Sequence, residues 1–358
     1  MNILALNAGS SSLKFRLGPP EGPARFTGEA QGFGHTPAFD IRDASGAKVT
    51  EAAHPTLADA AKAVLDFAGR QAKPDAIGHR FVHGGPGLLS HRRIDVEVRA
   101  ALIAASQFAP LHNPPALEVL ALSDAVFPGL PQVACLDTAF HADMPLLAQR
   151  LPLPANRLPP GLRRYGFHGL SCESILEQFD TVPPRLVIAH LGGGASVTAV
   201  KNGRSLDSSM GLTPTGGLMM ETRSGDLDPG VLIYLLRRGE TADSLEQLVN
   251  RQSGLAGISG QADLRAVRAL NDANGTLALE MFAISAAKAI AAMAAVLDGM
   301  DMLVFTGGIG EHDGGMREAI GARLGWMGKF SVQVLPAREE IVIARHTARL
   351  AGAGTIPA

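Results

Sequence analysis

The stretch from Val187 to Gly230, VIAHLGGGASVTAVKNGRSLDSSMGLTPTGGLMMETRSGDLDPG, restricts the possible fold more than any other part of the chain. A short apolar run ends in His190, breaks at Gly192, Gly193 and Gly194, and resumes from Ala195 to Val200. Asn202-Gly203 then matches the two-residue hairpin turn whose central positions both need positive φ. The pattern predicts strands that fold straight back on one another around a glycine turn. Glycine has no Cβ to hold a ligand off the backbone, and successive N–H groups at such a turn form a cradle for phosphate oxygens. Ser205, Ser208 and Ser209 follow, and Glu221, Arg223 and Asp226 fall within six residues of one another. That much polar chemistry among glycines predicts the wall of an active site.

The same shape occurs at the start of the chain. Ile3 to Leu6 reads as a buried strand, Asn7 to Ser11 as a turn, and Leu13, Phe15 and Leu17 as one face of an alternating strand. Either this is a solvated hairpin, or Asn7, Ser10, Ser12 and Lys14 surround a phosphate and a metal; its recurrence near residue 190 favours the second. A third strand and Gly-Gly turn, MLVFTGGIGEH, runs from Met302 to His312, and its glycines suit a nucleotide lying on the backbone. The GGxG pattern alone is weakly specific.

Between these units lie isolated candidates. Arg80 sits in a strand that ends at a glycine turn, AIGHRFVHGGPG, where a guanidinium can grip carboxylate or phosphate or simply face solvent. Asp137 ends the strand that begins at Pro131, a usual place for a catalytic acid in an α/β protein, although a lone Asp there is more often a helix cap. His168 stands between glycines in RRYGFHG. Asp228-Pro229 caps and opens a helix. Thr276 to Leu297 predicts a long Ala-rich helix, apolar nearly all round and therefore buried, with a subunit contact as a second use.

A chain of 358 residues suits two domains better than one. A net charge of -2 with no long basic run speaks against nucleic acid or an anionic membrane as partner. Cys135 and Cys172 are far apart, with no CxxC, so no disulfide framework or zinc site is expected and a reducing cytoplasm is the default. The N-terminus does not read as a signal peptide, and the apolar stretch Ala283 to Leu297, interrupted by Lys288, is expected to be too short to span a bilayer.

Taken together, the segments NAGSSSLKF, HRFVHGG, APLHNP, LDTAFH, RRYGFHG, HLGGGAS, DSSMGLTP, TRSGDLDPG, FTGGIGE and the terminal EE-x-x-IAR closely resemble the acetate kinase family. They keep the family's order and cover nearly the whole chain. The resemblance implies an α/β fold of two actin-like, ribonuclease H-like domains of the duplicated βββαβαβα type, with a nucleotide cleft between them. This is the plan of the acetate and sugar kinase, Hsp70 and actin (ASKHA) superfamily. The expected division is residues 1–137 plus 341–358 for the acyl and metal side, and 138–340 for the nucleotide side and a dimer contact.

The resemblance also implies roles. Asn7 and Glu339 would hold Mg2+ (or Mn2+), Arg80 and Arg223 would clamp the carboxylate and the moving phosphoryl, His168 would hydrogen-bond that phosphoryl, and Asp137 would organise the arginines. Ser10, Ser12, Lys14, His190, Gly192, Gly193 and Gly194 would meet phosphates. Asp263, Leu264, Arg265, Gly308, Ile309, Gly310 and Glu311 would form the ATP/ADP pocket. Val82, Leu111, Phe167 and Pro214 would enclose the acyl methyl. The implied reaction is reversible phosphoryl transfer between ATP and acetate in a cytoplasmic homodimer. Propionate or butyrate as acceptor, or an actin- or Hsp70-like ATPase acting on a protein, are the rivals.

The chemistry fits independently. Phosphoryl transfer needs positioning and charge neutralisation more than covalent help, and a carboxylate nucleophile is already ionised at neutral pH. Some positions depart from the family pattern. Gly193 stands where an Asn is usual, Glu221 where a smaller residue is usual, His312 follows GIGE in place of Asn, and Arg338 precedes the paired acids in place of Asn.

Overall fold

A computed structural model describes residues 1–9, 12–33, 37–49 and 52–352. The chain forms two compact units: Met1–Ala142 with Gly169–Ser174 and Arg338–Ala358, and Asp143–His168 with Ile175–Ala337.

In the first unit the strands are β1 (Ile3–Ala8), β2 (Ser12–Gly18), β3 (Phe26–Gln31), β4 (Ala38–Asp43), β5 (Lys48–Val49), β6 (Ala76–Phe81), β7 (Arg92–Arg93) and β8 (Gln132–Leu136). They make one sheet in the order β5-β4-β3-β2-β1-β6-β8-β7. β1 is buried along its whole length, because both faces of the sheet are covered. Its period-2 alternation sends Leu4, Leu6 and Ala8 into a core with Phe15, Val64 and Phe67. Ile3 and Ala5 enter another core with Val342, Ile343 and Ala344. The helix Leu57–Gln71, capped by Thr56 accepting from the Asp59 N–H, supplies the first cover. The last helix, Glu339–Gly352, supplies the second. It approaches β6 so closely that a Cβ on Gly78 would collide with Thr347 and Ile343.

The second unit repeats the plan. β9 (Arg185–Leu191), β10 (Ala195–Lys201), β11 (Arg204–Ser208), β12 (Met302–Thr306) and β13 (Ser331–Val334) form a sheet in the order β11-β10-β9-β12-β13. In both units the first three strands pair antiparallel, and two later strands, β6 and β8 in the first unit and β12 and β13 in the second, add parallel on the other side of the first. The order β3-β2-β1-β6-β8 therefore corresponds to β11-β10-β9-β12-β13, and the glycine turns at Gly9 and at Gly192–Gly194 occupy equivalent places between first and second strands. The β10–β11 turn has φ of 50° at Asn202 and 79° at Gly203, as a primed turn requires.

The long apolar helix runs from Ala273 to Val296, with Asp272 as its N-cap accepting from the Gly275 N–H. It packs on β9, β10 and β11 through residues that include Ala278, Phe282, Ala286, Ile290 and Met293. Two expectations are corrected. The helix has 24 residues and is long and apolar enough, by length and composition, to cross a membrane. Nor is it buried all round: Leu277 is 49% exposed and Met281 41%. The helices Gly254–Ser259, Leu264–Ala269 and Gly314–Ala322 also pack on it, and what stays open is a strip with Leu277, Met281 and Ile284.

Candidate active site

The C-terminal ends of β1, β6 and β8 and the start of the last helix bring four predicted residues together in the first unit. Asp137, just past β8 and 1% exposed, accepts from Arg80 Nη2 at 2.6 Å and from Arg80 Nε at 3.0 and 3.1 Å. Arg80 Nη1 donates to Asn7 Oδ1 at 3.1 Å. Asn7 Nδ2 in turn donates to Glu339 Oε2 and to Glu340 Oε1, each at 2.9 Å. Burial works against the Arg80 charge, but Asp137, Glu339 and Glu340 more than offset it and hold the guanidinium above its ordinary pKa. Burial pushes the Asp137 acid up to about 6, against the pull of Arg80 and with help from the charges of Glu339 and Glu173. It is therefore still ionised at pH 7, as its bidentate grip on a guanidinium requires.

Glu340 was not singled out from sequence, although it is the second of the paired acids. Burial, then the charge of Glu339, raises its pKa. Two carboxylates meeting one amide leave excess negative charge among hard oxygen donors, which is the kind of group that suits Mg2+. Ser12 opens β2, and Lys14 lies on β2 opposite Asn7 on β1. Ser10 lies outside the described residues.

Val82 is buried and Leu111 half-buried, on loops tied together by Asn113. Asn113 Oδ1 accepts from the His83 N–H at 3.2 Å and its Nδ2 donates to the His83 carbonyl at 2.8 Å. In the second unit, Phe167 and Pro214 are buried.

A second cluster forms there around the β9–β10 turn. His168, with φ of 57°, is one of the few non-glycine residues in the left-handed region. Its Nδ1 lies 2.9 Å from Ser196 Oγ, and its ring stacks on His190 with centroids 4.2 Å apart. Arg223 Nη1 donates to the Pro214 carbonyl at 3.0 Å. A Cβ built on Gly194 would lie 3.2 Å from Arg223 Nη1 and 3.3 Å from His168 Nε2. The glycine is what lets guanidinium and imidazole press against the turn. Ser196, within HLGGGAS, was not predicted as a site residue.

Beside this cluster a cavity of about 290 Å3 is lined by Gly192, Gly193, Asp263, Leu264, Arg265, Gly308 and Ile309, as well as Glu221, His312 and Asp313. Asp263 caps the helix Leu264–Ala269 by accepting from the Arg265 and Ala266 N–H groups and pairs with Arg265 at 3.0 Å. Burial and the nearby Asp263 push the Glu221 carboxyl up. Two predicted pocket residues do not line this cavity. Gly310 is buried, and Glu311 turns back to accept from the Gly307 and Ala337 N–H groups, both at 3.0 Å. Glu311 thus ties down the loop entering the helix Gly307–His312.

Two sheets of one topology, each with a glycine turn between its first two strands, define a protein of the ASKHA class. Comparison with known proteins narrows this further. The chain matches the Acetokinase family over residues 2–347. It is 41% identical to the acetate kinase of Thermosynechococcus vestitus, covering 92% of this chain and 88% of that protein. The crystal structure of a propionate kinase from Francisella tularensis superposes with a TM-score of 0.89 at 34% identity, over 98% of this chain and 99% of that one. That of Porphyromonas gingivalis acetate kinase gives 0.81 at 36% identity, again over 98% and 99%. The chain belongs to the Acetokinase family.

Proposed function

We propose that the protein is an acetate kinase that works reversibly. A carboxylate oxygen of acetate attacks the γ-phosphorus of ATP in line, a new O–P bond forms as the bond to the β-phosphate oxygen breaks, and acetyl phosphate and ADP result. The observation that carries this is the packing of Arg223 and His168 against Gly194. It aims a cation and a hydrogen-bonding ring at a glycine turn suited to phosphate, in a chain whose relatives are named acetate kinases. Preorganised donors of this kind stabilise the charge on equatorial phosphoryl oxygens.

Each residue then has a role. Arg80, held charged by Asp137, binds the acid's carboxylate, and Arg223 and His168 bind the moving phosphoryl. Asn7 and Glu339, joined by Glu340, would hold Mg2+; the ion supplies charge neutralisation at the phosphate oxygens when bound. Ser10, Ser12, Lys14, His190 and Gly192–Gly194 serve phosphate oxygens, and Asp263, Leu264, Arg265, Gly308 and Ile309 take the nucleoside. Residues 1–137 with 341–358 serve the acyl and metal end, and residues 138–340 the nucleotide end. Val82, Leu111, Phe167 and Pro214 receive the methyl group.

Propionate is the second reading, favoured by the higher TM-score of the propionate kinase; one methylene discriminates by only about 1–3 kcal/mol. We further propose a cytoplasmic homodimer. The helix Pro229–Arg237 has no buried residue, and it exposes Val231 at 44%, Ile233 at 49%, Tyr234 at 59% and Leu236 at 48%. A helix that leaves so many large apolar side chains exposed is a candidate interface. The reaction is tested by 31P NMR of ADP, Mg2+ and acetyl phosphate with the enzyme. ATP signals appearing as acetyl phosphate decays are expected, and their absence refutes the reading.

A further inference from the structure

His91, Glu173 and His346 bring two imidazoles and a carboxylate within 4.8 Å of one another, the composition of a transition-metal site. Their hydrogen bonds argue against that use. The Leu136 N–H donates to His91 Nδ1 at 3.0 Å, and Arg349 Nη2 donates to His346 Nδ1 at 3.0 Å. A neutral imidazole carries one proton. With both Nδ1 atoms accepting, that proton sits on Nε2 of each ring, the atom a metal would need bare. Both Nε2–H groups instead face Glu173, at 2.6 Å from His346 and a weaker 3.4 Å from His91.

What this trio holds is the backbone around Asp137. β7 begins at Arg92, which pairs with Ala134, so the N–H of Leu136, two residues further along β8, has passed the end of its neighbouring strand. It is buried, and a buried N–H without an acceptor is costly. The His91 ring supplies the acceptor that a longer β7 would have offered. The next N–H, of Asp137, donates to the Phe81 carbonyl at 3.0 Å, and the Asp137 carbonyl accepts from the Gly169 N–H at 2.8 Å. Gly169 opens the helix Gly169–Leu176, which also carries Glu173. Glu173 is thus gripped by His91 beside β7 and by His346 on the last helix. Both peptide groups flanking the Asp137 side chain are fixed by this frame, and that side chain meets Arg80 Nη2 at 2.6 Å.

The geometry points to His91 as a positioning residue for phosphoryl transfer, acting through the Leu136 N–H on the Asp137–Arg80 pair, with Glu173 and His346 as its anchors. This rests on the acyl-kinase reading above, since it assigns Arg80 to the substrate. Three substitutions separate the two arms of the ring. His91→Asn places an amide oxygen near the former Nδ1 and keeps an acceptor for Leu136. His91→Gln reaches toward Glu173 but leaves Leu136 without an acceptor, and His91→Phe removes both arms while filling the space. Amide hydrogen exchange at Leu136 and steady-state kinetics with ATP and acetate are measured on all three and on the wild type.

The expected result is that Gln and Phe speed exchange at Leu136 and lower kcat about 10- to 100-fold with KM for ATP unchanged, the scale of a small misplacement of a catalytic group. Asn keeps both near wild type. Equal losses in all three variants, or losses in Asn with Gln spared, would overturn the assignment, as would unaltered exchange and kcat in Phe. A wild type that makes no acyl phosphate sinks the reaction reading alone, and exchange at Leu136 then decides the His91 bond.

Discussion

Glu221 Oε2 stands 3.0 Å from the point where a Cβ on Gly193 would lie. The two positions are 28 residues apart in sequence and line the same cavity, where the glutamate carboxylate meets the space left open at the glycine turn.

The pair should therefore behave non-additively. Gly193→Asn alone crowds Glu221 and is expected to raise KM for ATP several-fold; Glu221→Ala alone opens the pocket. The double variant should recover most of the loss, giving a coupling of about 0.5–3 kcal/mol in kcat/KM. Strictly additive effects would mean that the two side chains do not share the space.

Arg80 and Asp137 predict two different failures. Arg80→Ala leaves a carboxylate that is 1% exposed without its partner, which costs about 3–5 kcal/mol of stability and abolishes turnover. Asp137→Asn removes the charge but keeps a hydrogen-bonding oxygen for Arg80, so stability should fall less while kcat drops about 10²–10³-fold. Urea unfolding alongside kinetics distinguishes them.

Acid sensitivity should have a contribution from His79, the neighbour of Arg80 on β6. Its ring is 2% exposed, its Nε2 lies 2.6 Å from Gln132 Oε1, and burial pushes its pKa from 6.5 down to about 4. Below pH 6.5 the unfolded chain takes a proton that the folded chain refuses, so this stabilisation is present above 6.5 and is lost as pH falls toward 4. The loss amounts to about 3 kcal/mol at most. His79→Gln should flatten the dependence of the urea midpoint on pH in that window; an unchanged slope would contradict the assignment.

The exposed apolar helix gives a prediction on assembly. Ile233→Asp with Tyr234→Asp should convert the dimer to monomers in light scattering while leaving the far-UV circular dichroism intact, because neither residue is buried within its own chain. A wild type that is already monomeric would refute the interface.

Much of this was legible in the sequence because it is local. The Gly192–Gly194 break and the Asn202-Gly203 turn constrain φ within a few residues, and Asp228 accepts from the Gly230 N–H as a cap before Pro229 should. What sequence did not reveal depends on contacts between distant segments. Glu340 joins Asn7 across 333 positions, and His91, Glu173 and His346 sit beside or on three separate elements with no common spacing. The resemblance implied Glu311 at the nucleotide, and no local pattern could show that its carboxylate accepts from the Gly307 and Ala337 N–H groups, the second 26 residues away. The long helix was expected to be buried all round because apolarity alone does not say whether a face meets its own chain or another.

The most direct test of the central claim is hydroxamate trapping of the product formed from ATP, Mg2+ and acetate, propionate or butyrate, for the wild type and Arg223→Ala. Acyl hydroxamate is expected from the wild type, fastest with acetate, and almost none from the variant. ATP binding without acyl phosphate from any of the three acids would contradict it.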